Sequence, residues 1–416
     1  MKQRRSLTHV GGAVRTVGDA RIATKLAEAL DVEPAPEPRD DGVADDDPDR
    51  VHVHGFHTYP ARMHPTTAAR LVRASTTEGA LVLDPFCGSG TVLIEAMIAG
   101  RRGVGTDLNP LAVRLATLKT ARLDAMERDA ISKGARAAAA FADDRRKRRA
   151  GATRRYPQED VASFDPHVFL ELDSLRSALP SLDLAPRVRG ALELVLSAIL
   201  VKLSRRASDT ASGAAPREPR RLAAGYPSRL FVKKADELVQ RVAALEALLP
   251  AGASAARVEL DDAARLKTIA AATIDAVVTS PPYVATYDYI EHHALRLRWL
   301  DLDARAFAAG EIGSRRRYGQ LGARSARETW SRELGAALRA ISRVCRKGAP
   351  VALVLADSAV QGEALRADAL VNAVADDAGL VVLARASQAR PHFHGPTAWA
   401  FKDAPRAEHA IALEKR

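Results

Sequence analysis

The chain has 416 residues, enough for one large domain with an insertion or for two domains. Hydrophobic residues make up 47% and aromatics only 5%, so a sizeable core is expected, built mostly of Ala, Leu and Val; the formal charge of +11 favours a polyanionic partner, nucleic acid above all. Two cysteines, Cys87 and Cys345, exclude a disulfide framework or zinc ribbon; no apolar run approaches the ~20 residues that span a bilayer, and the basic start lacks the apolar stretch of a secretory signal, so a cytoplasmic protein with no membrane partner is expected.

In chain order, a short helix is expected at residues 20–30. Residues 33–50 (EPAPEPRDDGVADDDPDR) are acidic and proline-rich with almost nothing to bury, so 1–50 reads as an N-terminal segment containing a disordered linker. His52, His54, His57 and His64 follow; with no acid or cysteine at ligand spacing they read as a polar loop, and no metal is expected. From Gly79 the pattern alternates: a strand at 80–84, a helix at 91–99 stopped by Gly100, a strand at 103–107, a helix from 110 to about 128. That alternation is the signature of a doubly wound parallel sheet. Residues 126–254 break it, being helical in period and rich in Arg, with amphipathic stretches at 187–206 and 229–249; they read as a helical insertion. The sheet resumes at 257–260 and 274–278, a helix covers about 329–346, and strands at 351–355, 380–384 and 409–413 close the fold, the last two as an antiparallel pair joined across a turn at Pro391-His392-Phe393-His394. One α/β domain, 51–125 with 255–416, is thus interrupted by 126–254.

Two motifs carry the chemistry, each at the end of a buried strand, where open α/β sheets bind ligands. The first is Asp84-Pro85-Phe86-Cys87-Gly88-Ser89-Gly90-Thr91. Gly88 and Gly90 let backbone approach a ligand closely, and the helix starting at Thr91 offers free N–H groups suited to the carboxylate of a methionine moiety, with Asp84 placed to hold its ammonium. A Walker loop would need Gly-Lys-Ser/Thr, and a dinucleotide fingerprint a third glycine where Leu93 stands. Asp107, ending the second strand some twenty residues later, is placed to accept ribose hydroxyls, with capping of the next helix as the competing role. At the third strand end Asp262, favoured over Asp261, could accept from an adenine amino group; a helix cap is again the alternative.

The second motif is Thr279-Ser280-Pro281-Pro282-Tyr283. The amino nitrogen of a nucleobase is a poor nucleophile because its lone pair is delocalised into the ring. Two acceptors for its N–H bonds, the Ser280 hydroxyl and the Pro281 carbonyl, free that lone pair. Pro281 and Pro282 stiffen the loop and remove N–H donors, and Tyr283 offers a flat face for stacking. The competing reading is a plain proline turn.

At these residues the chain resembles the amino-methyltransferases of the N4-cytosine and N6-adenine DNA methylase group, whose signatures D-P-F-x-G-x-G-T and [DNS]-P-P-[YFW] stand here at 84–91 and within 279–283. His57-Thr58-Tyr59-Pro60-Ala61-Arg62-Met63-His64-Pro65 is similar to the segment that precedes the first strand and helps cover the cofactor, and 283–300 to the helix after the catalytic loop. The resemblance implies a Rossmann-like class I fold dependent on S-adenosylmethionine, with Tyr59, Pro60, Asp84, Pro85, Phe86, Gly88, Ser89, Gly90, Thr91, Asp107, Asn109 and Asp262 at the cofactor. It also implies Ser280, Pro281, Pro282 and Tyr283 at the target amino group, and double-stranded DNA as partner with the target base flipped. A cognate restriction enzyme stays open as a further partner. Thr-Ser-Pro-Pro-Tyr is similar to the form common in cytosine-N4 enzymes; Asp-Pro-Pro-Tyr is commoner in adenine-N6 ones. The tRNA guanine-N2 methylases have a similar D-P-F-C-G-x-G loop but normally Asp-Pro-Pro-Tyr and an N-terminal RNA-binding domain, so RNA is the less favoured partner. A cofactor-binding regulator without activity is a third reading, against which the intact Ser-Pro-Pro-Tyr loop argues. The helical block sits where some relatives carry target recognition. For the basic runs Arg145, Arg146, Lys147, Arg148 and Arg149, for Arg217, Arg220 and Arg221, and for Arg315, Arg316 and Arg317, phosphate contacts and plain solvated faces are both open.

Overall fold

An eight-stranded mixed sheet runs through residues 12–32, 50–206, 222–390 and 398–416, the parts of the chain that the computed structural model describes. The linker at 33–49, Arg217, Arg220, Arg221 and the turn at 391–394 lie outside the described residues. The chain opens with β1 (Val14–Gly18) and α1 (Ala20–Leu30), then a 3-10 turn (His52–Gly55), α2 (Pro65–Ser75), β2 (Leu81–Asp84), α3 (Thr91–Ile98), β3 (Arg102–Asp107) and α4 (Pro110–Thr120). Five helices follow, α5 (Ala125–Lys147), α6 (Gln158–Ala162), α7 (Pro166–Ser181), α8 (Pro186–Leu203) and α9 (Tyr226–Glu246). The sheet then resumes with β4 (Arg257–Leu260) and β5 (Ala276–Thr279), α10 (Tyr289–Trp299), α11 (Arg305–Gly310), α12 (Arg315–Gly319) and α13 (Ala323–Val344). It closes with β6 (Pro350–Ala356), a small hairpin β7 (Ser358–Val360) and β8 (Glu363–Leu365), α14 (Ala367–Ala375), β9 (Leu380–Ala389) and β10 (Ala407–Lys415).

The strand order is β1-β9-β10-β6-β5-β2-β3-β4. Strands β4, β3, β2, β5 and β6 are parallel, and β10 runs antiparallel between β6 and β9. The chain winds outward from β2 through β3 to β4, then returns to the other side of β2 as β5. The crevice beyond the ends of β2 and β5 is therefore the topological switch point, where such sheets bind ligands. The central strands read as continuous apolar runs because helices cover both faces. Alternate residues feed opposite cores: Val82, Val278, Ala352 and Val354 pack with α1, α2 and α3, whereas Leu83, Val277, Leu353 and Leu355 pack with α13 and α14.

The insertion is not an appendage. Ile131, Leu172, Leu192 and Phe231 share one core with Leu111 and Leu115 of α4 and Trp299 of α10. Two expected boundaries shift. The helix expected from 110 to 128 is two helices, because Ala121 turns extended and Asp124 starts α5 with a capping box to Glu127; α13 begins at Ala323, ahead of 329. Strand β1 was not foreseen: its five residues are mostly exposed and sit at the sheet edge on β9. Among the described residues no helix is long and apolar enough to cross a membrane.

Candidate active site

The loop from β2 to α3 forms the floor of the crevice. Asp84 is buried, and its Oδ1 accepts from the Thr279 hydroxyl at 2.6 Å and from Phe86 N at 3.2 Å. One residue of each motif is thus tied to the other across the switch point. Burial pushes the Asp84 carboxyl up to about 7, against the two hydrogen bonds that favour its anion. Gly88 and Gly90 both have left-handed backbone (φ +49° and +87°), and a Cβ on Gly88 would sit 3.2 Å from the Tyr59 ring. No side chain caps α3, so its first N–H groups stay available at the loop. The Ser89 hydroxyl is buried there without a hydrogen-bond partner.

Asp107 ends β3, with Oδ2 accepting from Gly88 N (2.9 Å) and Oδ1 from Asn109 N (2.8 Å). Burial pushes it up to about 6. The cap of α4 is Asn109, which accepts from Leu111 N; its amide also donates to the Tyr59 hydroxyl at 3.3 Å. At the end of β4 the two acids divide their work. Asp261 is occupied by Thr268 N and Oγ1 and by Asp262 N; Asp262 lines the crevice, while its Oδ1 accepts from Ala264 N at 2.9 Å and its Oδ2 lies 3.7 Å from Arg265. Tyr59, Asp84, Pro85, Phe86, Gly88, Ser89, Thr91, Asp107, Asp262, Ser280 and Pro282 together line one cavity. An uncapped helix start, an orphaned serine hydroxyl and carboxylates at successive strand ends are a donor and acceptor set that fits a nucleoside bearing an amino-acid tail.

Pro60, Gly90, Asn109, Pro281 and Tyr283 are not among the cavity-lining residues. Gly90 and Asn109 act from behind, as backbone turn and cap. Tyr283 turns its hydroxyl to Glu408 Oε1 (3.1 Å), and Glu408 Oε2 accepts from buried Arg390 at 3.1 Å. Burial and the Glu408 charge push the Tyr283 phenol well above its ordinary value. The Trp330 indole donates to the Pro282 carbonyl at 3.4 Å, a second tie on the catalytic loop.

The segment before α2 forms the roof. Tyr59 stacks on His293 of α10, with ring centroids 4.7 Å apart. His57 bridges Thr58 O and the Ser197 hydroxyl of α8, and fully buried Arg296 reaches Ser197 O and Thr58 Oγ1. His54 Nε2 meets Glu95 Oε1 of α3 at 2.8 Å, inside the fold. His52, His54 and Glu95 bring ligating atoms within 4.8 Å of one another, so an acid that chain spacing did not reveal does join the histidines. Burial pushes His52 down to about 4 and His54 well below its ordinary value, and neighbouring basic groups add to it, Arg241 and Lys119 at His52 and Lys119 and Arg62 at His54. The His54–Glu95 contact ties roof to floor. Burial pushes Glu95 up to about 7. Glu95→Ala, which orphans His54 Nε2 and leaves a void, is expected to cost roughly 2–4 kcal/mol in urea unfolding, and Glu95→Gln much less. A raised folded-state value means that the Glu95 contribution is full at low pH and is lost as pH rises through about 7. That slope should be absent in Glu95→Gln.

Met63 and Tyr289, within the two further segments singled out in the sequence, also line the cavity, whereas Leu108, Ala263, Phe307, Gly310, Glu311 and Ile312 were missed. Glu311 Oε1 also accepts from Tyr289 N and Ile290 N at the start of α10. The basic runs considered for phosphate contact carry partners of their own. Arg315, Arg316 and Arg317 pair with Asp288, Glu291 and Glu333; Arg146 and Lys147 pair with Asp143, Arg148 with Asp144, and Arg145 bonds Ser174 and Gly151 O. Arg149 ends the run in left-handed backbone (φ 53°).

Residues 37–118 match the family model described as DNA methylase. Type II methyltransferase M.MjaII of Methanocaldococcus jannaschii is 33% identical over 73 residues, 18% of this chain and 14% of that protein. Type II methyltransferase M.MvaI of Kocuria varians is 36% identical over 75 residues, 17% of this chain and 16% of that protein. The tRNA (guanine(10)-N2)-dimethyltransferase of Methanothermobacter thermautotrophicus is 46% identical over 61 residues, 14% and 18% respectively. The chain therefore aligns with less than a fifth of the length of these relatives. Among solved structures, the rRNA methyltransferase aviRa of Streptomyces viridochromogenes overlays 89% of this chain and 93% of its own at 12% identity and a TM-score of 0.35. TrmN of Thermus thermophilus overlays 85% and 49% at 13% and 0.31.

Proposed function

We propose that this chain, whose residues 37–118 match the DNA methylase family model, is an amino-methyltransferase of that family and methylates the exocyclic amino nitrogen of a flipped DNA base, cytosine N4 in particular. Its cofactor is S-adenosylmethionine, which when bound supplies a methyl group on a positively charged sulfur. The observation that carries the reading is that Ser280 and Pro282 open onto the same cavity as Asp84, Gly88 and Asp107. A planar amino group held at Ser280 is then beside whatever the strand-end carboxylates hold.

In this reading the α3 start and Ser89 take the cofactor carboxylate, Asp84 its ammonium, Asp107 the ribose and Asp262 the adenine amino group. Ser280 Oγ and the Pro281 carbonyl accept from the two N–H bonds of the target amino group, which restores nucleophilic character to its nitrogen. Catalysis is then mostly positioning. A duplex hides the amino group, so the base must leave the stack. Serine rather than aspartate before Pro-Pro favours cytosine over adenine. The guanine-N2 reading on RNA draws on the 61-residue match and on Cys87 within the loop.

The test is transfer from labelled cofactor to unmethylated genomic DNA and, separately, to total tRNA and rRNA, with products digested to nucleosides. N4-methylcytosine is the expected product. N6-methyladenine would change the base only; label confined to RNA would move the protein to the guanine-N2 reading, and no label with cofactor still bound would refute catalysis on either.

A further inference from the structure

The end of β9, the start of β10 and the ends of β2 and β5 all lie on one edge of the sheet, because β10 runs antiparallel to both β6 and β9. The described part of the connection between β9 and β10 therefore starts from the sheet edge that also bears the crevice, two strands away from β5, and it carries a 3-10 turn, Trp399–Phe401. The turn is anchored. Phe401 is buried, and the Arg366 guanidinium lies 5.3 Å over its ring while donating to Ala404 O, Pro405 O and Asp357. Seven residues after Phe401 comes Glu408, which holds the Tyr283 hydroxyl of the catalytic loop. Trp399 itself is 66% exposed, with Lys402 Nζ 4.0 Å from its ring centre. Trp299 and Trp330, the other two tryptophans, are 0% and 1% exposed. Nothing in the methyl-transfer reading uses Trp399.

A fixed, solvent-facing indole with an ammonium beside it is the pairing with which proteins take unpaired nucleic acid: the ring stacks on a base and the cation meets a phosphate. We propose that Trp399 and Lys402 form a stacking platform for a nucleobase flanking the one that enters the cavity. This rests on the reading that the substrate is a nucleic acid. Flipping one base unstacks its neighbour, and an indole on the same edge of the sheet replaces the lost stacking on the strand that stays outside.

With the other tryptophans buried, indole quenching by acrylamide reports on Trp399. Mixed-sequence single-stranded oligodeoxynucleotide, and the matching oligoribonucleotide, should shield that fluorescence saturably in the wild-type protein. Trp399→Ala should lose the signal and bind the oligonucleotide roughly 5- to 150-fold more weakly by anisotropy, the range of one base–aromatic stack. Trp399→Phe should recover much of that loss, and cofactor affinity should be unchanged in both, which also reports that they are folded. Wild-type protein that methylates nucleic acid alongside a Trp399→Ala variant binding within about twofold of it would overturn the platform alone. Wild-type protein that neither binds nor methylates DNA or RNA would overturn the platform together with the nucleic-acid reading.

Discussion

Replacing Ser280 by alanine is expected to lower kcat by roughly 10²–10³-fold, comparable to the loss of one positioned hydrogen-bonding group in an acyl-transfer site, while cofactor Kd stays within about twofold. The asymmetry follows from the loop. Ser280 opens onto the cavity beside Pro282, but the carboxylates and helix start assigned to the cofactor belong to β2, β3, β4 and α3. In the proposed reading the hydroxyl acts where the target nitrogen changes shape, so its loss falls on the transition state rather than on cofactor binding, although its bond to the Tyr283 side chain goes too. The loop around it should survive the change, because Trp330 holds the Pro282 carbonyl and Glu408 holds Tyr283. Single-turnover transfer from labelled cofactor, set beside calorimetric titration of the cofactor, separates the two effects. A rate within threefold of wild type would remove Ser280 from the chemistry and leave the Pro281 carbonyl as the only acceptor assigned there.

Both motifs were legible because each is written in consecutive residues at a strand end, where glycine, proline and acid types have few other uses. The strands β2, β5 and β6 were legible for a related reason: strands covered on both faces are mostly apolar. What escaped was made by contacts remote in the chain. His54 finds its acid 41 positions away on α3, so four histidines looked like a loop with no acid in reach. Tyr283 finds Glu408 at a separation of 125, so an expected stacking face turned out to be a ring whose hydroxyl is engaged elsewhere. Phe307, Gly310 and Glu311 belong to a connection whose local sequence carries no ligand signal; only the packing of α11 brings them to the cavity. The arginine runs, left open between phosphate contact and solvated face, gain intramolecular partners that the sequence did not show. Charge composition counts Arg315, Arg316 and Arg317 as available, while the fold sets an acid against each, buried Asp288 against Arg315.

Cofactor affinity is expected to rise with pH through about 7, and Asp84 is the reason. Burial holds its carboxyl up to about 7 in the free protein, in spite of the bonds from Thr279 and Phe86. An ammonium placed against it favours the anion and lowers that value. Below about 7 the cofactor must therefore expel a proton to bind, and Kd should weaken by roughly eightfold between about pH 7.5 and about pH 6. The stability of the free protein runs the other way: a group whose folded value is raised contributes fully at low pH and loses that contribution as pH climbs through about 7. The thermal shift produced by cofactor should accordingly grow across the same interval. Asp84→Asn keeps the shape and discards the charge. It should flatten the affinity profile and weaken binding at neutral pH by roughly 10- to 150-fold, the span of one charge-assisted hydrogen bond. Asp107 is the natural rival, since burial pushes it up as well, but only to about 6, so its titration should centre lower. If the slope persists in Asp84→Asn and disappears in Asp107→Asn, the ammonium assignment is wrong and the proton belongs to the β3 carboxylate.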